Sequence, residues 1–164
     1  MFASEVFGLV QKSELYAQLS SQLSALIADE TDAVANMANC AALIFQSLPD
    51  LNWSGFYLLK GGELVLGPFQ GRPACIRIAL GRGVCGKAAQ ERTTLRVADV
   101  NAFPDHIACD SASRSEIVVP LVDNDYLIGV LDVDSPKLDR FDAEDEAGLK
   151  EVARLITPKL APSR

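Results

Sequence analysis

The chain has 164 residues, of which 49% are hydrophobic and 23% are charged, a composition typical of one globular domain with its own core. The formal net charge of −7 argues against a nucleic-acid partner, because phosphate binding requires clustered lysine and arginine and the basic residues here are scattered. No apolar run approaches the roughly 18 residues that cross a bilayer, and no polybasic segment indicates a membrane partner.

The N-terminal stretch MFASEVFGLVQKSELY has neither the basic start nor the long apolar core of a secretory signal. We therefore expect a cytoplasmic protein, in which cysteines more often perform redox or catalytic chemistry than staple the fold. We also expect no output domain beyond residue 164.

Two amphipathic helices are predicted first. In residues 12–29, apolar residues recur at every fourth position: Leu15, Leu19, Leu23 and Ile27. This helix could mediate a homodimer or pack within the chain. In residues 32–48, Asp32 is the expected N-cap, and the apolar face is formed by Val34, Met37, Ala41, Ile44 and Phe45. Cys40, in the middle of this helix, is interpreted as a small core residue.

Strand patterns follow the two helices. The predicted strands are residues 53–59, 63–69, 75–80, 93–99, 115–122 and 126–135. Gly61 and Gly62 indicate a hairpin between the first two strands. A closing helix is predicted over residues 141–156, with Asp142 as its cap and an acidic first turn.

Antiparallel strands flanked by terminal helices indicate an α+β fold, in which one central sheet carries helices on one face. The other face should be covered by two long connections, a glycine-rich one that leads into a short helical stretch (67–92) and a polar one (100–113). Three of the four cysteines, Cys75, Cys85 and Cys109, lie in these connections, and loops on a rigid scaffold often carry functional sites.

The last predicted strand becomes acidic towards its end. Because side chains alternate along a strand, Asp132 and Asp134 share one face. The other face is apolar and should lie on the helices: Leu127, Gly129, Leu131 and Val133. A three-residue loop over 123–125 would pair Val122 with Tyr126 and bring Glu116 opposite Asp132. A two- or four-residue loop would send Glu116 to the opposite face.

Three carboxyl groups that converge cannot all ionise, so at least one pKa should rise and that group could donate a proton near neutral pH. Two alternatives stay open. The acids could be solvated or cap the following loop, or Glu116, Asp132 and Asp134 could bind a divalent cation through hard oxygen ligands.

Zinc binding by the four cysteines is disfavoured, because their spacing is irregular and no CxxC pair occurs. The single histidine, His106, lies three residues before Cys109, which leaves a Cys–His nucleophile or an ordinary loop histidine as alternatives. The remaining option is thiol redox chemistry, in which a thiolate attacks an electrophile, is oxidised and is resolved by a second thiol.

Several segments together carry a resemblance to a known family: NWSGFYLL, LGPFQGRPACIRIALGRGVCGKAA, VADVNAFPDHIACDSASRSEIVVPL and IGVLDVDSPKLDRFDAEDEAGL. Over roughly residues 12–160 the chain resembles the free methionine-(R)-sulfoxide reductases, which are single GAF domains. The resemblance implies one GAF domain over residues 1–164, with a six-stranded antiparallel sheet, the terminal helices on one face and a loop-covered pocket on the other. It also implies reduction of free L-methionine (R)-sulfoxide.

The resemblance further implies roles for individual residues. Cys109 matches the catalytic cysteine, Cys75 the principal resolving cysteine and Cys85 an auxiliary thiol that can also form disulfides. The substrate pocket is implied to contain two aromatic and three acidic residues: Trp53, Tyr57, Glu116, Asp132 and Asp134. Thioredoxin recycles enzymes of this family, which use no metal and no organic cofactor.

These roles suit the chemistry, because a sulfoxide oxygen leaves readily once it is protonated. One of the three acids, with Glu116 and Asp134 as the catalytic candidates, would supply the proton, and the others would hold the substrate ammonium. Backbone N–H groups of residues 109–116 would bind the substrate carboxylate, and Trp53 would flank the S-methyl group. Core packing is the alternative for Trp53 and Tyr57.

Three rival functions remain at this point. They are a non-catalytic GAF sensor of a small molecule, a peroxide-sensing thiol switch and a metal-binding regulator that uses the acidic residues. The expected absence of an output domain and the three cysteines in the connections argue against the sensor.

Overall fold

The computed structural model describes residues 11–161, so the two ends of the predicted domain, 1–10 and 162–164, lie outside the described residues. The helices are α1 (Lys12–Ile27), α2 (Ala33–Ser47), α3 (Gly83–Glu91) and α4 (Ala143–Ile156). The strands are β1 (Trp53–Lys60), β2 (Glu63–Gly71), β3 (Arg77–Ala79), β4 (Leu95–Val97), β5 (Ser115–Asp123) and β6 (Tyr126–Ser135). Each predicted element is present, although β3 and β4 are shorter than expected.

All six strands pair antiparallel in one sheet of order β3-β2-β1-β6-β5-β4. The two hairpins, β1–β2 and β5–β6, therefore lie side by side, with β1 and β6 at the centre. The α+β prediction of a central six-stranded antiparallel sheet is confirmed. Within residues 11–161, no helix has the combination of length and apolar composition that crossing a membrane requires.

Helices α1, α2 and α4 pack on one face of the sheet and enclose the larger apolar core. Asp32 caps α2 as predicted, since its carboxylate accepts a hydrogen bond of 2.8 Å from Ala35 N. Cys40 is fully buried in this core, as interpreted from the sequence. Val34 departs from the predicted apolar face, because its side chain is 62% exposed. The apolar stripe of α1 packs within the chain, which is the second of the two alternatives given for it, and a homodimer stays a prediction.

The opposite face of the sheet is covered by a helix as well as by loops. Residues of α3 pack with Val118 of β5 and Val130 of β6 in a second, smaller core. This helix, Gly83–Glu91, lies within the connection 67–92, so the face is covered by the segments that the sequence predicted. The short helical stretch predicted after the glycine-rich segment is a full helix, and it forms one wall of the site described below.

The β5–β6 hairpin differs from its predicted register. Val122 pairs with Leu127 rather than with Tyr126. The cause is a two-residue turn made by Asn124 and Asp125, both in the left-handed region with φ of 47° and 68°. Left-handed conformations at both central residues define the type I′ turn that suits tight hairpins, so the predicted three-residue loop was wrong.

A bulge at Ile128 then compensates for the shorter turn. It adds one residue to β6, so that Glu116 stays on the predicted face but pairs with Asp134 instead of Asp132. At the start of β6 the faces therefore exchange: Ile128 packs on the helices, and Leu127, which was predicted to lie there, packs in the smaller core instead. The three acids still share one face of the sheet.

A buried ionic network joins α1 to the start of α4. Asp145, which is 1% exposed, accepts hydrogen bonds from Tyr16 Oη at 2.8 Å, Lys12 Nζ at 2.7 Å and Arg140 Nη1 at 3.2 Å. Its carboxylate also accepts from Asp142 N, and Asp142 in turn caps the helix as predicted. Asp145 therefore links the first turns of α1 to the start of α4.

Asp145→Asn should reduce the free energy of unfolding by about 3 kcal/mol, because it leaves the Arg140 guanidinium, on a side chain only 9% exposed, without its counter-charge. Urea denaturation measures this loss. The matched control is Glu144→Gln, an exposed residue of the same helical turn, which should shift the value by less than about 0.5 kcal/mol. Equal unfolding midpoints for both variants would show that the network does not stabilise the fold.

Candidate functional site

An aromatic wall lines the cavity between the sheet and α3. Trp53 and Tyr57 are four residues apart on β1, so their side chains point to the same face of the sheet. Their ring centroids are 5.9 Å apart. Phe69 of β2 stacks on Trp53 at 5.3 Å. Gly55 permits this approach, because a Cβ there would lie 2.7 Å from Cη2 of Trp53. Both predicted aromatic residues are buried and both line the cavity.

The polar atoms of these rings hold the segment that carries Cys75. Trp53 Nε1 donates to Arg72 O at 3.1 Å, and Tyr57 Oη donates to Cys75 O at 2.9 Å. A buried aromatic residue with a polar atom usually satisfies that atom in this way. The aromatic wall therefore both shapes the cavity and positions the β2–β3 connection above it.

Cys75 and Cys109 form a disulfide across 34 residues, with their Cα atoms 5.4 Å apart. Cys109 lines the cavity directly, whereas Cys75 reaches it through this bond. Both sulfurs belong to connections that lie over the sheet face opposite α1 and α4. The two segments are thus joined above the aromatic wall.

The loop that carries Cys109 is held by a residue that the sequence reasoning missed. Asn52 Nδ2 donates to Asp110 Oδ2 at 3.1 Å and to Ser113 Oγ at 2.9 Å. Asp110 also accepts from Ala112 N within the loop. These contacts span 58 and 61 residues in sequence, so no local pattern could have identified Asn52.

Some backbone N–H groups of the loop that carries Cys109 already donate hydrogen bonds within the protein. The N–H groups that donate within the protein belong to Cys109, Ala112, Ser113 and Arg114. Those of Asp110 and Ser111 lie between them in the segment where we expect a substrate carboxylate. Within loop residues 109–114, Asp110 and Ser111 are therefore the candidate donors for that carboxylate.

Cys85 is placed differently from the other two cysteines of the prediction. It lies in the first turn of α3 rather than in a loop, and its side chain is 5% exposed. Its Sγ is 3.7 Å from Glu116 Oε1, within the range of a thiol–carboxyl hydrogen bond. Burial, together with the nearby carboxyl groups of Asp132 and Glu116, raises the pKa of this thiol well above its ordinary value.

The three predicted acids converge at one end of the sheet. Trp53, Asp134 and Glu116 lie side by side on β1, β6 and β5, and Asp132 is one pleat away on β6. Glu116 and Asp132 are buried, whereas Asp134 is half-buried. All three line the cavity with Cys85 and Cys109, so the structure brings the predicted site residues together.

The environment of these acids favours their neutral forms. Burial, and then repulsion from Asp132, raises the pKa of Glu116 well above its usual value. Burial likewise raises the pKa of Asp132 from 3.8 to about 6 and that of Asp134 well above 3.8. Buried oxygens of Asp132 and Asp134 have no hydrogen-bond partner among the described residues. The cluster therefore retains at least one proton near neutral pH.

Retained protons make stability depend on pH. When folding raises the pKa of a carboxyl group, that group contributes its full stabilisation below its pKa in the unfolded chain. The contribution is lost as pH rises through its pKa in the folded protein. For Asp132 this window runs from 3.8 to about 6. A glutamine at position 116 cannot ionise. Between pH 4 and pH 8 the free energy of unfolding of Glu116→Gln should therefore fall less than that of the parent protein.

Urea denaturation at several pH values tests this, with Glu144→Gln as the control that should follow the parent. Parallel curves for Glu116→Gln and the parent would contradict the assignment of the retained protons. The comparison needs no activity measurement, so it examines the acid cluster alone.

His106 also lines the cavity, but the helical turn that would pair it with Cys109 is absent, since residues 106–108 have no regular secondary structure. Partial burial lowers the pKa of His106, which favours the uncharged imidazole. The structure therefore favours the interpretation of His106 as an ordinary loop histidine over its role in a Cys–His nucleophile.

The sequence matches both a family model and individual known proteins. A family model described as the GAF domain matches residues 21–158. The free methionine-R-sulfoxide reductase of Escherichia coli is 51% identical over 152 residues, which cover 93% of this chain and 92% of that protein.

Solved structures of other proteins are similar in both sequence and fold. A protein described as a putative GAF sensor from Burkholderia vietnamiensis is 57% identical, with a TM-score of 0.89 over 92% of this chain and 99% of that one. The free methionine-R-sulfoxide reductase from Neisseria meningitidis, solved in complex with its substrate, is 47% identical. Its TM-score is 0.89 over 98% of this chain and 93% of that one.

Proposed function

Because the chain belongs to the free methionine-(R)-sulfoxide reductase family of GAF domains, we propose that it reduces free L-methionine (R)-sulfoxide to L-methionine by thiol chemistry in the cytoplasm. The observation that carries this proposal is the pairing of Cys75 with Cys109 beside a cavity lined by buried acids. Sulfoxide reduction requires a thiol that can be oxidised to a disulfide and an acid that protonates the sulfoxide oxygen.

The first step is attack by the Cys109 thiolate on the substrate sulfur. A carboxyl of the acid cluster protonates the sulfoxide oxygen, which passes to the Cys109 sulfur as a sulfenic acid while methionine leaves. The substrate sulfur gains two electrons and the Cys109 sulfur loses two, so the step balances. The raised pKa values of Glu116 and Asp134 support these residues as proton donors.

The second step restores the thiols. The Cys75 thiol condenses with the sulfenic acid, water leaves and the disulfide forms. A dithiol of thioredoxin then reduces this disulfide by exchange and is itself oxidised. The chemistry uses no metal and no organic cofactor. Cys85 is the auxiliary thiol of this scheme, and its burial in α3 makes it a slower resolving group than Cys75.

Binding of a free amino acid follows from the charges around the cavity. Its ammonium group is held by the carboxylates of the cluster that stay ionised, with Asp132 assigned to this role. Its carboxylate is held by the N–H groups of Asp110 and Ser111, and its S-methyl group lies against Trp53. A peptide lacks the free ammonium and carboxylate, so protein-bound methionine sulfoxide is a poor substrate.

The proposal is tested by NADPH oxidation coupled through thioredoxin reductase and thioredoxin. Free methionine (R)-sulfoxide should support NADPH consumption, whereas the free S epimer and a peptide-bound (R)-sulfoxide should not. Equal rates with the free and the peptide-bound compound would contradict the proposed specificity. Binding of the free sulfoxide without NADPH consumption would favour the non-catalytic sensor instead.

A further inference from the structure

A thiol and two carboxyl groups meet inside the cavity. Cys85, Glu116 and Asp132 are all buried, and one potential ligand atom from each lies within 4.8 Å of the other two. This donor set differs from the all-oxygen set of the divalent-cation alternative considered from the sequence, because the sulfur of Cys85 takes the place of Asp134.

The spacing of these atoms suits a tetrahedral ion. Zinc binds sulfur at about 2.3 Å and carboxylate oxygen at about 2.1 Å, so two such ligands on one ion are about 3.6 Å apart. Cys85 Sγ and Glu116 Oε1 are 3.7 Å apart. The three ligand atoms all lie within 4.8 Å of one another, so a modest movement of side chains would bring the remaining ligand to the ion.

A second observation points to a ligand at this place. Asp132, at 5% exposed, lines the cavity with an Oδ1 atom that has no hydrogen-bond partner among the described residues. A buried carboxylate oxygen without a partner costs free energy, which a bound cation would recover.

We propose that Cys85, Glu116 and Asp132 form a binding site for Zn²⁺, and that the ion inhibits the enzyme. A thiolate ligand selects zinc-like ions over Mg²⁺ and Ca²⁺, which require six or more oxygen ligands. Three protein ligands leave the fourth position of a tetrahedral ion to water.

Inhibition follows from the groups that the ion occupies and rests on the proposed function. Zn²⁺ binds deprotonated ligands, so it displaces the proton of Cys85 and any proton held on Glu116, and these are released to solvent. The ion then holds the acids that would otherwise donate a proton and bind the substrate ammonium. Binding itself does not depend on the reductase activity.

The test uses Co²⁺ as a spectroscopic substitute on the protein oxidised at Cys75 and Cys109. In that state two thiols remain, Cys85 and Cys40, so a thiolate-to-Co²⁺ charge-transfer band must come from one of them. We expect one Co²⁺ per chain, a charge-transfer band with tetrahedral d–d bands, and bleaching of both when Zn²⁺ is added.

Cys85→Ala should abolish the charge-transfer band and weaken Zn²⁺ binding by more than about 100-fold. Glu116→Gln should weaken binding while it retains the thiolate band. Cys40→Ala, in the helical core on the other face of the sheet, is the control and should bind as the parent does. Binding that is unchanged in Cys85→Ala, or a band that is lost in Cys40→Ala, would overturn the proposal.

A separate measurement examines inhibition. Zn²⁺ should inhibit NADPH-coupled turnover at the concentrations at which it displaces Co²⁺, with the coupling enzymes controlled by a disulfide substrate of thioredoxin. Zinc binding without inhibition would overturn the inhibitory part alone. An absence of turnover before zinc is added would instead count against the proposed function and leave the Co²⁺ result intact.

Discussion

Cys109→Ser should reduce turnover of free methionine (R)-sulfoxide to the uncatalysed background, a loss of at least about 10³-fold. A serine hydroxyl is a far weaker nucleophile than a thiolate and cannot become a sulfenic acid, so neither step of the scheme can proceed. Steady-state NADPH oxidation measures the loss. Cys40→Ala is the matched control, because Cys40 is buried in the core on the other face of the sheet and should retain the parent rate.

Cys75→Ser distinguishes the role of the resolving thiol from that of the attacking thiol. Without the resolving thiol, the variant should release about one methionine per chain and then stall, because the sulfenic acid on Cys109 persists. Slow further turnover would reflect resolution by Cys85, which is buried in α3. Full multiple turnover by Cys109→Ser would defeat the assignment of the attacking thiol.

Glu116→Gln should lower kcat/KM by about 10² to 10⁴-fold, the range typical of losing a general acid. Burial and the neighbouring carboxyl groups raise the pKa of Glu116, so the parent holds a proton that the amide cannot donate. The pH dependence of kcat should change with it, since the group that loses activity on deprotonation is gone. The exposed Glu144→Gln should have no effect.

Asp134→Asn and Asp132→Asn distinguish proton donation from substrate binding. Loss of the acid should lower kcat, whereas loss of a carboxylate that holds the ammonium should chiefly raise KM. We expect Asp132→Asn to act mainly on KM, because Asp132 is assigned to substrate binding alone, whereas Glu116 and Asp134 are the proposed proton donors. An unchanged kcat in both Glu116→Gln and Asp134→Asn would exclude the two proposed donors.

Much of the fold was predictable because its signals are local. Asp32 and Asp142 precede apolar repeats and do cap α2 and α4. The register of the β5–β6 hairpin was harder, because a turn over Asn124 and Asp125 and a bulge at Ile128 each shift it by one residue. The two shifts combine to restore the alternation, so the predicted face of Glu116 was right although its predicted partner was wrong.

The site was less predictable from residue patterns alone. Alternation along β6 could place Asp132 and Asp134 on one face, but only long-range pairing brings them to Trp53 on β1. The contact of Cys85 with Glu116 spans 31 residues, and the sequence around Cys85 is glycine-rich like that of a loop. The roles given to the cysteines came from resemblance, because spacing does not specify which thiols pair.

The mechanism requires Cys109 to take the sulfoxide oxygen and Cys75 to resolve it. The direct measurement is to mix the fully reduced protein with one equivalent of free methionine (R)-sulfoxide, without reductant, then denature it in an alkylating reagent. We expect one methionine per chain and, by mass spectrometry, a peptide pair joined between Cys75 and Cys109, with Cys40 and Cys85 alkylated. Methionine release that leaves Cys109 alkylated as a thiol, or no methionine at all, would contradict the mechanism.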